Sequence, residues 1–218
     1  MESSVSPEEG LGYLEGTIRT YNQGVQKFAE AIDKKRLDNE MTIFTQNLPQ
    51  GGKVLDAGCG YGRDAALLKE RGYELIGTDL STAFIEEAKR RFPEIEFKLM
   101  DIRHLDFEDE SFDGIWARAV LLHLTLEDIS QSLGEFNRVL KPDGTAFIYM
   151  KEGEGSEVKE ESFTAQGERH FTYVCEAQLK EMLEAAGFTV DNIYTHNERE
   201  VFGPEFRDLE WVCAFAKK

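Results

Sequence analysis

The stretch Lys53–Glu70, KVLDAGCGYGRDAALLKE, decides the fold. A short apolar run ends near Asp56, and Gly58, Gly60 and Gly62 follow at every second position. From Arg63 to Arg71 the residues suit a helix, which Gly72 closes. A strand, a tight turn and a helix N-terminus in that order present unpaired backbone N–H groups, and turns of this kind bind nucleotides. Gly58 permits a tight bend, and Gly60 lets a ligand approach the backbone.

The same alternation continues downstream. YELIGTDL (73–80) reads as a second strand, and Ser81 caps a helix that runs to about Arg91 and stops at Pro93. IEFKLMD (95–101) is a third strand and HLDFEDES (104–111) an acidic turn. FDGIWAR (112–118) is a fourth strand, a helix over 126–140 stops at KPDG (141–144), and TAFIYMK (145–151) is a fifth. Strands separated by helices build parallel βαβ units, hence an α/β protein with a doubly wound sheet. After a helix over 176–186, two strand-like runs, FTVDNIYTHN and LEWVCAFAKK, are joined only by a short turn around FGPEF. That gap is too short for a helical crossover, so these two strands are antiparallel.

Upstream, Ile18, Tyr21, Val25, Phe28 and Ile32 recur at helical spacing, and the charged run DKKRLDNE (33–40) breaks the helical region. Residues 11–50 therefore read as an N-terminal helical cap and 11–218 as one domain, with residues 1–10 disordered. The segment 152–173 is polar, rich in Glu and Gly and without period; it reads as a loop on the substrate side of the fifth strand.

The formal net charge is −17, which repels phosphate backbones and anionic lipid surfaces. The expectation is a small-molecule partner, with neither nucleic acid nor membrane. Lys89, Arg90 and Arg91 cluster where cations suit the end of a helix. The three cysteines, Cys59, Cys175 and Cys213, have neither metal-ligand spacing nor a disulfide framework. A reducing compartment and no metal are expected. MESSVSPEEG is not a secretory signal, and no apolar run approaches the roughly 18 residues that span a bilayer. The chain is expected to be soluble and cytoplasmic.

Two cofactors fit a turn of this kind. A dinucleotide would make the protein an oxidoreductase, and S-adenosylmethionine would make it a transferase. Asp56 beside the turn would repel a pyrophosphate but suits a methionine moiety bearing an ammonium group. Counted from Gly58, the last glycine of G-x-G-x-x-G would fall at Arg63. Asp79 ends the second strand, where an acid takes both ribose hydroxyls of either cofactor; it also reads as an N-cap, in competition with Ser81. Asp101 can accept from an adenine amino group while the Ile102 N–H meets a ring nitrogen. The alternative reading of Asp101 is a turn-forming residue.

Taken in order, VLDAGCGYG, GTDLS, LMDIRHL, FDGIWARAVLLHL, RVLKPDGTAFIYM and MLEAAGFTV resemble the class I S-adenosylmethionine-dependent methyltransferase superfamily, and its bacterial-type small-molecule members in particular. The resemblance covers nearly the whole chain. It implies a three-layer Rossmann-like fold with a seven-stranded sheet, mostly parallel with an antiparallel last strand. It implies S-adenosylmethionine as cofactor, S-adenosylhomocysteine as product, and in-line methyl transfer by a monomer or homodimer. Asp56, Gly58, Cys59 and Gly60 would then meet the methionine end, with Arg63 near its carboxylate. Asp79 and Leu80 would meet the ribose and adenine edge, and Asp101 and Ile102 the adenine. Arg118 would line the methyl side through its backbone carbonyl. Tyr21 resembles a tyrosine placed over the cofactor from an N-terminal helix, and also reads as core. His123, His170 and Tyr173 are candidates for a base or substrate contact, with Glu152 and Glu154 at the entrance. His123 reads first as a packed or hydrogen-bonded structural histidine, and His104 and His196 read as surface residues. The alternatives are a dinucleotide-dependent oxidoreductase and a non-catalytic cofactor-binding protein of the same fold.

Overall fold

Val54, Leu55, Asp56 and Ala57 are all buried in β1 (Lys53–Ala57), so this strand is covered on both faces, as central strands of parallel sheets are. The computed structural model describes residues 12–160 and 167–218. Two helices, α1 (Glu15–Ile32) and α2 (Asp38–Gln46), precede β1, separated where the charged run was read as a break. Then follow α3 (Arg63–Glu70), β2 (Glu74–Asp79), α4 (Thr82–Arg91), β3 (Glu96–Leu99), β4 (Phe112–Arg118), α5 (Leu126–Val139) and β5 (Leu140–Lys151). The chain continues through β6 (Ser156–Glu160), β7 (Glu168–Thr172), α6 (Glu176–Ala185), β8 (Thr189–Asn197), α7 (Glu198–Phe202) and β9 (Glu210–Lys217).

Seven strands form one sheet in the order β3-β2-β1-β4-β5-β9-β8. The pairs from β3 through β5 are parallel. The last strand, β9, is antiparallel to both β5 and β8 and sits between them. The sheet is therefore doubly wound about β1 and β4, whose C-terminal ends open a crevice at the reversal of strand order. Behind it, Trp116 of β4 stacks on Phe147 of β5 with ring centroids 4.1 Å apart, and Phe44 of α2 meets the same indole edge-on.

Three elements differ from the sequence reading. Pairing of β5 begins at Leu140, opposite Phe112, so KPDG lies inside the strand; a register shift before Gly114 and a positive φ of 63° at Asp143 absorb the turn residues. The short connection after β8 contains α7 rather than a turn alone. Most importantly, the segment expected to be a loop contains an antiparallel ribbon, β6 paired with β7. Thr20 of α1 donates to the Glu168 carbonyl at 3.1 Å, Thr17 accepts from the His170 N–H at 3.0 Å, and Thr172 donates to the Leu124 carbonyl at 2.6 Å. The first two bonds dock the ribbon on α1, and the third ties it to the connection between β4 and α5. The expectation of disorder over residues 1–10 falls outside the described residues, as does part of the expected loop, residues 161–166. Among the described residues, no helix is long and apolar enough to cross a membrane.

Candidate active site

The glycine turn closes on the ends of two strands. The N–H groups of Gly58 and Cys59 both donate to the Thr78 carbonyl, at 2.8 and 2.9 Å. Gly58 has φ +73°, and a Cβ there would lie 2.3 Å from the Val120 side chain. Gly60 has φ +53° and open space where its Cβ would be, so the backbone is bare to a ligand at that point. The Gly60 N–H donates to Asp79 Oδ2 at 2.9 Å, and the Ser81 N–H donates to Oδ1 at 2.8 Å. Asp79 is thus tied to the turn and does not cap α4. Ser81 does, accepting from the Phe84 N–H at 3.1 Å. Each Asp79 oxygen keeps acceptor capacity toward the crevice. Burial pushes its carboxyl up to about 6, against the N–H bonds from Ser81, Gly60 and Leu80.

Asp56 is 2% exposed, and its Oδ2 has no hydrogen-bond partner among the described residues. Burial, reinforced by the charge of Asp64, raises its carboxyl well above the usual carboxylate range. An unsatisfied buried carboxylate oxygen is costly and calls for a partner.

Asp64, in the first turn of α3, accepts from Arg63 Nε at 2.7 Å, Arg118 Nη1 at 3.1 Å and Trp116 Nε1 at 3.0 Å. Burial would raise its pKa, but the two guanidinium groups outweigh burial and hold it far below the usual range. Arg63 also donates to the Ile32 carbonyl and is largely buried, so it is no solvated first-turn residue. The Arg118 side chain, expected to be a bystander to its own carbonyl, lies on the crevice wall and donates Nη2 to the Lys35 carbonyl at 2.6 Å.

One cavity brings together all the expected cofactor positions except Asp101. The Asp101 carboxylate turns away to Arg103, accepting from Nη2 at 2.7 Å and from the Arg103 backbone N–H at 2.9 Å. This is the turn-forming role, and Ile102 lines the cavity without it. His170 and Tyr173 are also absent from the lining, as are Glu152 and Glu154. Tyr173 donates to Glu157 at 2.6 Å on the ribbon, away from the cavity. His170 contributes its carbonyl, 2.7 Å from His123 Nδ1.

That carbonyl fixes which nitrogen of His123 carries a proton. A carbonyl only accepts, so Nδ1 is the donor, and in the neutral tautomer this selects, Nε2 is the acceptor. Tyr21 of α1 fills that position, its hydroxyl 2.7 Å from Nε2. Arg169 of β7 donates to the same hydroxyl at 3.0 Å. Tyr21 is therefore both packed, against Phe28 and Phe84, and part of the cavity lining. His123 is likewise packed, 8% exposed, and lines the cavity.

The far wall escaped sequence reasoning. Lys35, Lys151, Arg169 and Arg207 line it with Tyr149 and Trp211. Glu198 accepts from Lys35 Nζ at 2.6 Å, Arg207 Nη2 at 2.7 Å and Trp211 Nε1 at 3.0 Å. Burial would raise Glu198, yet these cations bring it down to about 2, while burial lowers Lys35 to about 8. Charged residues in otherwise apolar strands, such as Lys151 at the end of TAFIYMK, were the available signal. His104 is exposed against Gln131, as expected. His196 is not a surface residue: it packs with Glu40 and Cys213.

A doubly wound sheet with an antiparallel last strand, and a glycine turn held between two strand-end aspartates, define a Rossmann-like protein built for a nucleoside cofactor. Residues 55–148 match the family described as "Methyltransferase domain". Methyltransferase GfsG of Streptomyces halstedii is 39% identical over 105 residues, 45% of this chain and 37% of that protein. A demethylmenaquinone methyltransferase of Beutenbergia cavernae is 30% identical over 145 residues, 65% of this chain and 58% of that one. The chain thus spans about half the length of these curated relatives or somewhat less or more. The 1,6-didemethyltoxoflavin-N1-methyltransferase of Burkholderia thailandensis, solved with 1,6-didemethyltoxoflavin and S-adenosylhomocysteine, shares the fold at 23% identity; its TM-score is 0.74, over 100% of this chain and 92% of that one. Over residues 55–148 the chain thus matches the methyltransferase-domain family, and over its whole length it shares the fold of a solved methyltransferase.

Proposed function

We propose that the chain transfers a methyl group from S-adenosylmethionine to a small-molecule acceptor. The observation that carries this reading is the pair of strand-end carboxylates flanking an open glycine backbone. Asp56 presents a buried oxygen that lacks a partner, and Asp79 is aimed by two backbone N–H groups. The first suits an ammonium group and the second a ribose diol. A pyrophosphate would meet Asp56 with like charge, which weighs against the dinucleotide reading. Arg63 would hold the methionine carboxylate beside Asp64, and Leu80 and Ile102 would form an apolar slot for the adenine.

When bound, the cofactor supplies a methyl group already activated on a sulfonium. The chain's own part is to orient the acceptor in line with that methyl and to exclude water. The aromatic roof from α1 serves the second task. Tyr21 and His123 serve a third where the acceptor carries a proton. Tyr21 can take that proton as its own passes to His123 Nε2, with Arg169 beside the phenolic oxygen. The cationic character of the far wall, with Arg118 at its junction to the cofactor end, favours an acceptor bearing an anionic group such as a carboxylate. Three free thiols suit a reducing compartment such as the cytoplasm, and the net charge disfavours nucleic acid as acceptor.

Calorimetric titration with S-adenosylhomocysteine and, separately, with NAD tests the cofactor. Binding of the first and not the second is expected; the reverse sinks the proposal. Tyr21→Phe should leave S-adenosylhomocysteine affinity within about threefold while lowering turnover by about 10²-fold for an acceptor that loses a proton.

A further inference from the structure

Glu40 of α2, His196 of β8 and Cys213 of β9 are remote in sequence, yet one ligand-type atom from each lies within 4.8 Å of the other two. His196 Nδ1 is 3.8 Å from Glu40 Oε1 and 3.9 Å from Cys213 Sγ. The first separation is too long for a hydrogen bond. The second is a long hydrogen bond to sulfur, and all three atoms lie within 4.8 Å of one another. Zinc bond lengths put tetrahedral N, O and S ligands roughly 3.4–3.6 Å apart, so the two separations from His196 need close by only a few tenths of an ångström.

The surroundings support the same use. The other ring nitrogen of His196, Nε2, is 3.0 Å from the Tyr149 hydroxyl, the kind of contact that fixes the orientation of a metal-binding imidazole. Tyr194 donates to Glu40 Oε1 at 3.1 Å, orienting the carboxylate. Cys213 is 0% exposed and Glu40 6%, so the donors are shielded from bulk water. A thiolate and a carboxylate together carry two negative charges, matching a divalent cation. A nitrogen and a sulfur in the set select a transition ion over magnesium or calcium.

We propose that Glu40, His196 and Cys213 bind a divalent transition-metal ion of the zinc class. The ion would tie α2 to β8 and β9, directly behind Tyr149. Tyr149 stacks on Trp211 at 4.5 Å, and both line the cavity. The site is structural with respect to methyl transfer and does not depend on that reading. Binding displaces the Cys213 proton, so affinity rises with pH.

Full-length protein stripped with a chelator and titrated with Co²⁺ tests the site. One equivalent should produce a thiolate-to-metal charge-transfer band together with tetrahedral d–d bands. Cys213→Ser should abolish the charge-transfer band, and His196→Gln should weaken Co²⁺ binding at least tenfold, with the far-UV spectrum unchanged. A wild-type titration without the charge-transfer band overturns the proposal, as does a band that survives in Cys213→Ser. If Cys213→Ser fails to fold, the Cys59→Ser/Cys175→Ser double variant must keep the band, and its loss there overturns the assignment.

Discussion

Affinity for S-adenosylhomocysteine should fall about tenfold between pH 7 and pH 5, through Asp79. Its carboxyl titrates at about 6 in the cofactor-free protein because burial raises it from an ordinary 3.8. Ribose hydroxyls donate to the ionised form, and a protonated carboxyl puts a donor where an acceptor is needed. One unit below the titration point, about one chain in ten is ionised, which costs about 1.4 kcal/mol of binding. The ligand's own amino and carboxyl groups do not titrate in this window. Folding should respond with the opposite sign. The folded pKa lies above the unfolded one, so stability from the bound proton is present below pH 4 and lost as pH rises towards 6. Calorimetry at constant ionic strength from pH 5 to 8 measures the first effect, and melting of the cofactor-free protein the second. Asp56, which faces the same turn, is also raised by burial, and Asp79→Asn separates the two: the variant should bind more weakly and lose most of the slope between pH 5 and 7. Affinity independent of pH in the wild type, or a full slope in the variant, would refute the role given to Asp79.

Gly58→Ala should lower the melting temperature and abolish measurable cofactor binding. The left-handed backbone costs a non-glycine residue about 1–2 kcal/mol, and the new Cβ would stand 2.3 Å from Val120; wild-type affinity in this variant contradicts the close approach. Glu198→Ala strands the buried Lys35 and the half-buried Arg207 and should cost about 3–5 kcal/mol in urea denaturation. Glu198 is held down to about 2 when folded, so its contribution is present above its ordinary pKa of 4.5 and lost as pH falls towards 2. The variant should lose that part of the acid sensitivity, and a cost under about 1 kcal/mol would show that the cluster does not hold the wall together.

Local order was legible because local chemistry dictates it. Gly58 and Gly60 require a turn wherever they sit, Ser81 offers its hydroxyl to its own helix, and FDGIWAR spans β4 residue for residue. Asp56 and Asp79 could be placed at the crevice because each ends a strand whose register follows from its apolar run. The β6–β7 ribbon was hidden because β6 has no buried face and β7 is held by α1, a partner some 150 residues earlier. Asp101 misled because nothing in LMDIRHL says that Arg103 folds back onto it.

Sequence alone determined the alternation of strands and helices, the turn between them and the acids at the strand ends, since periodicity, glycine and capping act within a few residues. The tertiary structure alone decided the rest. The tautomer of His123 depends on a carbonyl of β7, the state of Glu198 on cations from the α1–α2 break and the α7–β9 connection, and the Glu40–His196–Cys213 group on three elements that only packing brings together. Charge and proton position in a buried site are set by whatever lies within a few ångströms, and chain order does not record those distances.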